Sequence, residues 1–487
     1  MTRRPGAFAA PPIALGALAL MSAGLAAAFP GAYRSLAFYA PDSASYLSWN
    51  LGRTPLYPLF LSAVAGLGRN LEWLGPVQLT IFCASAIVLA REAGRLMESD
   101  VLAVVAGATI MLNPQLISYC FTVLPETLLF SVVMLHVAAV FRAARQPTNT
   151  TPLAIGATAL VAILSKPAAY SLVVCLPLLL ILRARSRVLT ALTCAAPLVV
   201  GLLGVSAWNY ATRGLFGIQA QGAYALVSYV APLVEPDTAT AYRETASAIA
   251  AEVQPIARAV AALEPIDVRS IVFANEYHVN EAIVSRELFA AVERRRGAAV
   301  QDRATFTSDR EALIEINEIG STLARAAIRA RRGAYLRQVG DQLYALWRQP
   351  LIRNRATFPA FQADLDRKLA VAPALSPGAI PFRVLPPAAY WIAEGWLWGL
   401  LVGTLAAFAL ALAGRLANPR LVALAYGGLV VHANYLLVSA VQTGLPRYAL
   451  AMWPVAGIVL LSVVAAGLRS LAGRQLPGRS ATIPAGG

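Results

Sequence analysis

One short stretch of the 487-residue chain carries residues able to do chemistry beside lipid. It runs Pro41-Asp42-Ser43-Ala44-Ser45-Tyr46 and then Gly52-Arg53-Thr54-Pro55-Leu56-Tyr57-Pro58, close behind the first long apolar run. A charged pair at the edge of an apolar segment is expensive unless it is solvated or used. A carboxylate in that place can take a proton from a nucleophile. A guanidinium there can grip a phosphate through two parallel hydrogen bonds. Asp42 is therefore the expected centre of a site on the non-cytoplasmic side, with Arg53 as an anion-binding partner and Tyr46 and Tyr57 lining it.

The elements that must position these groups follow from composition. The chain is 58% hydrophobic and only 13% charged, where a soluble domain carries about 25% charge. Its apolar runs have helix-span length rather than the short alternation of barrel strands. The predicted class is an all-α integral membrane protein. The net charge is +15, and of the 40 basic residues only Lys166 and Lys368 are lysine. In a membrane chain such an excess goes with cytoplasmic loops and anionic lipid, so membrane lipid is an expected partner and nucleic acid is not. Cys83, Cys120, Cys175 and Cys194 fall in or beside apolar runs with no metal or disulfide spacing, and the three histidines are scattered. They predict buried small side chains and no metal site.

Arginine orients the runs. Thr2-Arg3-Arg4 precedes an apolar run over 11–29, which is either a first span or a cleaved leader ending at small residues. Either way residue 31 starts outside. Runs over 75–90, 101–119 and 121–140 alternate inward, outward and inward. Runs 152–164 and 168–182 form a short pair hinged at Ser165-Lys166-Pro167, and 188–208 leads out again. Residues 55–67, interrupted by Pro55 and Pro58, read as a membrane-edge helix. Residues 388–413, 421–438 and 448–466 make the last three spans. About ten spans result, with both termini cytoplasmic and the clustered short-loop arginines on one side. The domains are a transmembrane module 1–208 with first outer loop 31–74, a helical extracytoplasmic domain 209–387 inserted before the last three spans, a second module 388–470, and a disordered cytoplasmic tail 471–487. No repeat of 20–50 residues appears.

With that topology the outer ends of the spans collect Asp42, Tyr46, Arg53 and Tyr57, then Asn113, Gln115 and Glu126, then Lys166, then Arg213, then Gln442, Arg447 and Tyr448. Each has a plainer alternative. An outer arginine can snorkel to a headgroup. Asp42 can cap a helix beginning at Ser43. Glu126 can serve a helix dipole, and Lys166-Pro167 can be a simple kink. Trp391, Trp396 and Trp398 fit an interface belt. The gathering of all these polar groups on one face is what points to a site.

The order Asp-Ser-Ala-Ser-Tyr, Gly-Arg-Thr-Pro-Leu-Tyr-Pro-Leu-Phe-Leu, Leu-Pro-Glu-Thr-Leu-Leu-Phe, Ser-Lys-Pro and a late Arg-Tyr resembles the type C glycosyltransferases of bacterial membranes. These are relatives of the protein O-mannosyltransferases and the lipid A aminoarabinose transferase. The resemblance covers about residues 10–215 and 388–470, the membrane part by length. It implies a polyprenyl-phosphate-sugar donor, an acceptor that is a lipid, a glycan or a protein, transfer with inversion, and a site at the periplasmic face of the inner membrane. The family's first-loop acid matches Asp42 and its acid opening the fourth span matches Glu126. Its phosphate-binding cations are matched by Arg53, Lys166 and Arg447, with Tyr46, Tyr57, Arg213, Gln442 and Tyr448 as substrate-lining residues. Some members carry two adjacent acids where this chain has Asp42-Ser43, so no cofactor is certain and a divalent metal stays open without support from the residues.

Asp42 is the expected base for an acceptor hydroxyl and Glu126 an orienting group. A transporter or flippase of lipid-linked substrates is the rival from another class. It predicts broken spans with charges near the bilayer midplane, and Lys166-Pro167 is its one candidate. A scaffold with a large periplasmic domain needs no cluster of acids and bases at all.

Overall fold

The computed structural model describes residues 10–28, 42–49, 52–67, 71–148, 150–182, 187–220, 222–264, 266–300, 310–352, 387–414, 417–443 and 446–474. Residues 31–41 of the expected outer loop, 353–386 of the expected extracytoplasmic domain and the expected tail from 475 onward lie outside them.

Every regular element among the described residues is helical. The first half contains α1 (Ala10–Ala28), α2 (Ser43–Leu47), α3 (Leu56–Ala65), α4 (Leu74–Leu96), α5 (Asp100–Met111), α6 (Pro114–Cys120), α7 (Glu126–Arg145), α8 (Thr151–Ser165), α9 (Tyr170–Cys175) and α10 (Arg187–Arg213). Then come α11 (Gly222–Val230), α12 (Arg243–Ala261), α13 (Ile266–Arg296), α14 (Arg310–Ala330) and α15 (Arg332–Ile352). The chain closes with α16 (Pro387–Ala413), α17 (Pro419–Val441), α18 (Pro446–Leu450) and α19 (Trp453–Arg474).

Six helices among the described residues are long and apolar enough to cross a membrane: α4, α7, α10, α16, α17 and α19. Sequence reading expects more crossings, and the difference has local causes. The run 101–119 is two helices bent by 59°. Pro114 cannot donate a helix hydrogen bond, and the Asn113 side chain accepts from the backbone of Gln115 and Leu116, restarting the helix as its cap. Asn113 is thus a cap. Thr151–Ser165 and Pro167–Leu179 are shorter still. At 1.5 Å per residue, fifteen residues reach about 22 Å, less than the roughly 30 Å hydrocarbon core.

The largest core gathers Phe82, Phe130, Phe141, Tyr426 and Val459 from α4, α7, α17 and α19. A polar tie runs through it. His136 Nε2 lies 2.6 Å from the Tyr426 hydroxyl, and His136 Nδ1 lies 3.0 Å from Thr158 Oγ1. This joins α7, α8 and α17 and satisfies polar groups that an apolar surround would otherwise strand. Helices α8 and α10 touch at Gly156, where an added Cβ would stand 2.1 Å from the Cys194 carbonyl oxygen. Gly156→Ala is accordingly expected to push the two helices apart at a cost of about 1–3 kcal/mol. It should lower the melting temperature in detergent; an unchanged melt would show that the pair yields freely.

Helices α11 to α14 build a second core around Val230, Ile249, Leu288 and Leu323. That unit and α15 dock on the end of α17: Tyr229 of α11 donates to the Ser439 carbonyl at 2.5 Å and Tyr335 of α15 to the Ala440 carbonyl at 2.7 Å. Gln338 Nε2 donates to the Tyr229 carbonyl at 2.7 Å and binds α15 to α11.

Candidate active site

The loop 42–54 is stapled to its neighbours by small hydroxyls. Ser43 Oγ donates to the Val123 carbonyl at 2.9 Å, just ahead of α7. Thr54 Oγ1 donates to the Ser165 carbonyl at 3.2 Å, at the end of α8. Gln78 on α4 donates to the carbonyls of Cys120 and Thr122, holding the turn that leads into Glu126. The rings of Tyr46 and Tyr57 meet edge to face at 5.3 Å. These contacts set Asp42 beside the start of α7 and the break after α8.

Asp42 occupies the N-cap position of α2 but its carboxylate makes no capping hydrogen bond. It turns instead to two arginines. Arg53 Nη2 donates to Oδ1 at 3.0 Å and Arg447 Nη1 pairs with Oδ2 at 2.9 Å. Arg53 is steadied by Ser45 Oγ at 2.8 Å and by the Tyr46 ring, 4.6 Å from its guanidinium carbon.

Glu126 opens α7, where the helix dipole favours an acid. Its side chain is only 3% exposed. Lys166 Nζ donates to Oε1 at 2.8 Å, and Arg447 Nε stands 3.7 Å from the same oxygen. Arg447 therefore bridges the two acids. Lys166 also lies 4.1 Å from the Tyr448 ring centroid.

The Lys166 presentation has a backbone cause. A residue before proline is pushed out of the helical region, and Lys166 sits at φ −159°, ψ 129° before a single turn at Pro167–Ala169. Asn434 on α17, 1% exposed, donates to the Ala168 carbonyl at 3.0 Å and fixes that break. The kink and the charged site are thus one feature.

Tyr46, Arg53, Thr54, Lys166, Gln442 and Tyr448 line one cavity of about 320 Å³. Its remaining wall includes Tyr170, Leu226, Leu437 and Val438. The structure therefore brings together Asp42, Tyr46, Arg53, Glu126, Lys166, Arg447 and Tyr448, with Gln442 on the shared cavity. Two expected lining residues stand elsewhere. Tyr57 is fully buried in a small core with Leu61 and Leu74. Arg213 stacks on Trp49 and Trp208, with its guanidinium carbon 4.1 and 5.7 Å from their ring centroids. Ser43, Thr54 and Asn434 position the site and are absent from the residues singled out in the sequence. Their signal is a small polar side chain inside a charged motif, or one asparagine in an apolar span. Among the described residues no three His, Cys, Asp or Glu side chains gather as metal ligands.

Burial opposes ionisation of Asp42, but Arg447 first, then Arg53 and Lys166, overcome it and hold the carboxyl below its ordinary range. Burial pushes the Tyr46 phenol upward, so it remains a neutral hydrogen-bonding group. A carboxyl whose folded titration is depressed stabilises the protein above its unfolded value and loses that contribution as pH falls through the folded one. The stability gap between wild type and Asp42→Asn should hold from neutral pH down to about pH 4, the ordinary carboxylate value. It should close only in stronger acid. Melting curves that converge already near pH 6 would contradict the pairing.

Arg53 and Lys166 line the cavity and can hold an anion there, while Asp42, Glu126 and Arg447 stand behind them, joined to them by the ion pairs. Comparison with protein-family models, curated proteins and solved structures finds no match to this chain.

Proposed function

We propose that this chain is a multi-pass membrane glycosyltransferase that moves a sugar from a polyprenyl-phosphate-linked donor to a lipid, glycan or protein acceptor, with inversion. The observation that carries the reading is Arg447, which pairs with Asp42 and stands beside Glu126, while the partners of those two acids, Arg53 and Lys166, line one cavity. Three cations against two acids leave positive charge for a phosphate. In this reading, α1, the bent α5–α6 pair and the two short runs on either side of Lys166 are crossings too. That brings the count to ten, as the arginine pattern in the sequence suggests. Helices α11 to α15 then cover the outer face of a bacterial inner membrane, and the site opens toward the periplasm.

The proposed chemistry balances without a cofactor. The donor phosphodiester takes over hydrogen bonds that Arg53, Arg447 and Lys166 now give to the acids. The acceptor hydroxyl oxygen bonds to the anomeric carbon from the face opposite the phosphate. The bond between that carbon and the phosphate oxygen breaks, and polyprenyl phosphate leaves as an anion. Asp42 takes the hydroxyl proton and later returns it to water. Positioned donors around the departing phosphate supply the main stabilisation.

The helix breaks at Asn113 and Lys166 favour a second reading, a transporter or flippase of lipid-linked substrates. One experiment separates the two. Purified protein is incubated with a panel of radiolabelled polyprenyl-phosphate sugars, and label leaving the lipid fraction is followed. Release of label supports the transferase. Intact labelled lipid that moves between the leaflets of proteoliposomes supports the transporter.

A further inference from the structure

Trp49 closes the turn after α2 with φ +48°, a left-handed conformation that bulky L residues rarely adopt. Such a conformation persists where the surroundings hold it. The Trp49 backbone N–H donates to the Tyr46 carbonyl at 3.2 Å. The indole is held by two residues of α10. The Arg213 guanidinium carbon stands 4.1 Å from its ring centroid, and the Trp208 ring lies 5.5 Å away, tilted by 36°. Trp208 and Arg213 both belong to the last turns of α10. Among the described residues Arg213 forms no ion pair with a carboxylate; its partners are the two rings.

What lies on each side of this stack gives it meaning. Trp49 stands between Tyr46 and the Gly52-Arg53-Thr54 segment, all of which line the cavity. Just after Arg213 the chain turns at Gly214, φ +67°, and Asn209 Nδ2 donates to the Gly217 carbonyl at 2.7 Å. Gln219, Gly222, Ala225 and Leu226 then form another wall of the same cavity. The stack thus joins the loop that carries Asp42 to the segment that faces it.

We propose that Arg213 is a positioning residue whose guanidinium, stacked on Trp49 and Trp208, locks the Asp42–Arg53 loop to the 214–226 wall and sets the width of the cavity. The inference is independent of which reaction the cavity serves. A cation held on indole faces keeps its attraction without an acid partner. The stack also accounts for a left-handed tryptophan at this turn.

Hydrogen exchange in lipid nanodiscs tests this on wild type, Arg213→Ala and Arg213→Lys. Loss of the stack should raise exchange in peptides covering 42–57 and 214–226 together, by roughly tenfold, as expected for one lost cation–π contact. Peptides of α12 and α17 should stay at wild-type rates, which separates local release from unfolding. Arg213→Lys keeps a cation over the rings and should restore most of the protection. If Arg213→Ala does not fold, Trp208→Leu removes one ring of the stack and should loosen the same two peptides. A rise in only one of the two segments, in neither, or a lysine variant no better than alanine would overturn the proposal.

Discussion

Asp42→Asn is expected to lower the rate of sugar release from polyprenyl phosphate by about 10²–10⁴, the usual contribution of a positioned general base. Asparagine keeps the shape of the side chain and one accepting oxygen, so the loop held by Ser43 and Thr54 should stay in place. What disappears is the negative charge between Arg53 and Arg447. Those two arginines then become freer to grip the donor phosphate. The prediction is therefore specific in its pattern: turnover collapses while donor affinity holds or tightens. Single-turnover rates and donor titrations on the purified variant measure both quantities. Weakened donor binding with an unchanged chemical rate would show that Asp42 only spaces the arginines.

Lys166→Met should have the largest effect on stability. Glu126 is 3% exposed and its close partner is Lys166 at 2.8 Å, with Arg447 more distant at 3.7 Å. Removing one member of a buried pair leaves an uncompensated charge, a loss of about 3–5 kcal/mol. The same change removes a cation that faces the cavity, so donor turnover should also fall, by about 10²–10³ for one lost charge-stabilising donor. The double variant Lys166→Met with Glu126→Gln removes both charges and should regain much of the stability but none of the turnover. Melting temperatures for the two single variants and the double variant form the cycle that checks this. Additive losses in the double variant would mean that the two side chains act separately.

The long helices were legible because their apolar runs reach span length, even in α10, which carries Pro197 inside it. Helices α4, α7, α10, α16, α17 and α19 each correspond to one long apolar run. The bend in the run 101–119 was not legible because hydropathy does not register a cap, and Asn113 with Pro114 bends it by 59°. Lys166 reads as a hinge in the sequence, and the helix breaks there; its amine meets Glu126 at that break. Which acid meets which cation was not legible. Asp42 and Arg447 lie near opposite ends of the chain, and only the fold, which sets α18 beside Asp42, joins them. Arg213 reads in the sequence as a lining residue because it follows an apolar run. Its partners are aromatic, and a cation–π stack leaves no charge pattern to read. Tyr57 turns into a core because α3 has Leu61 and Val64 on the same face. Asn434 stood in plain view as a polar residue in an apolar span, but its role depends on the Ala168 carbonyl that the break exposes.

The most direct test of the account follows radiolabelled sugar on polyprenyl phosphate, offered as a panel to wild type and Asp42→Asn in the same membrane mimic. The account predicts that at least one donor loses its label to an acceptor or to water with wild type, and that the loss collapses with Asp42→Asn. A folded wild-type protein that releases no label from any donor, yet carries labelled lipid between leaflets equally well with and without the Asp42 carboxylate, would contradict it.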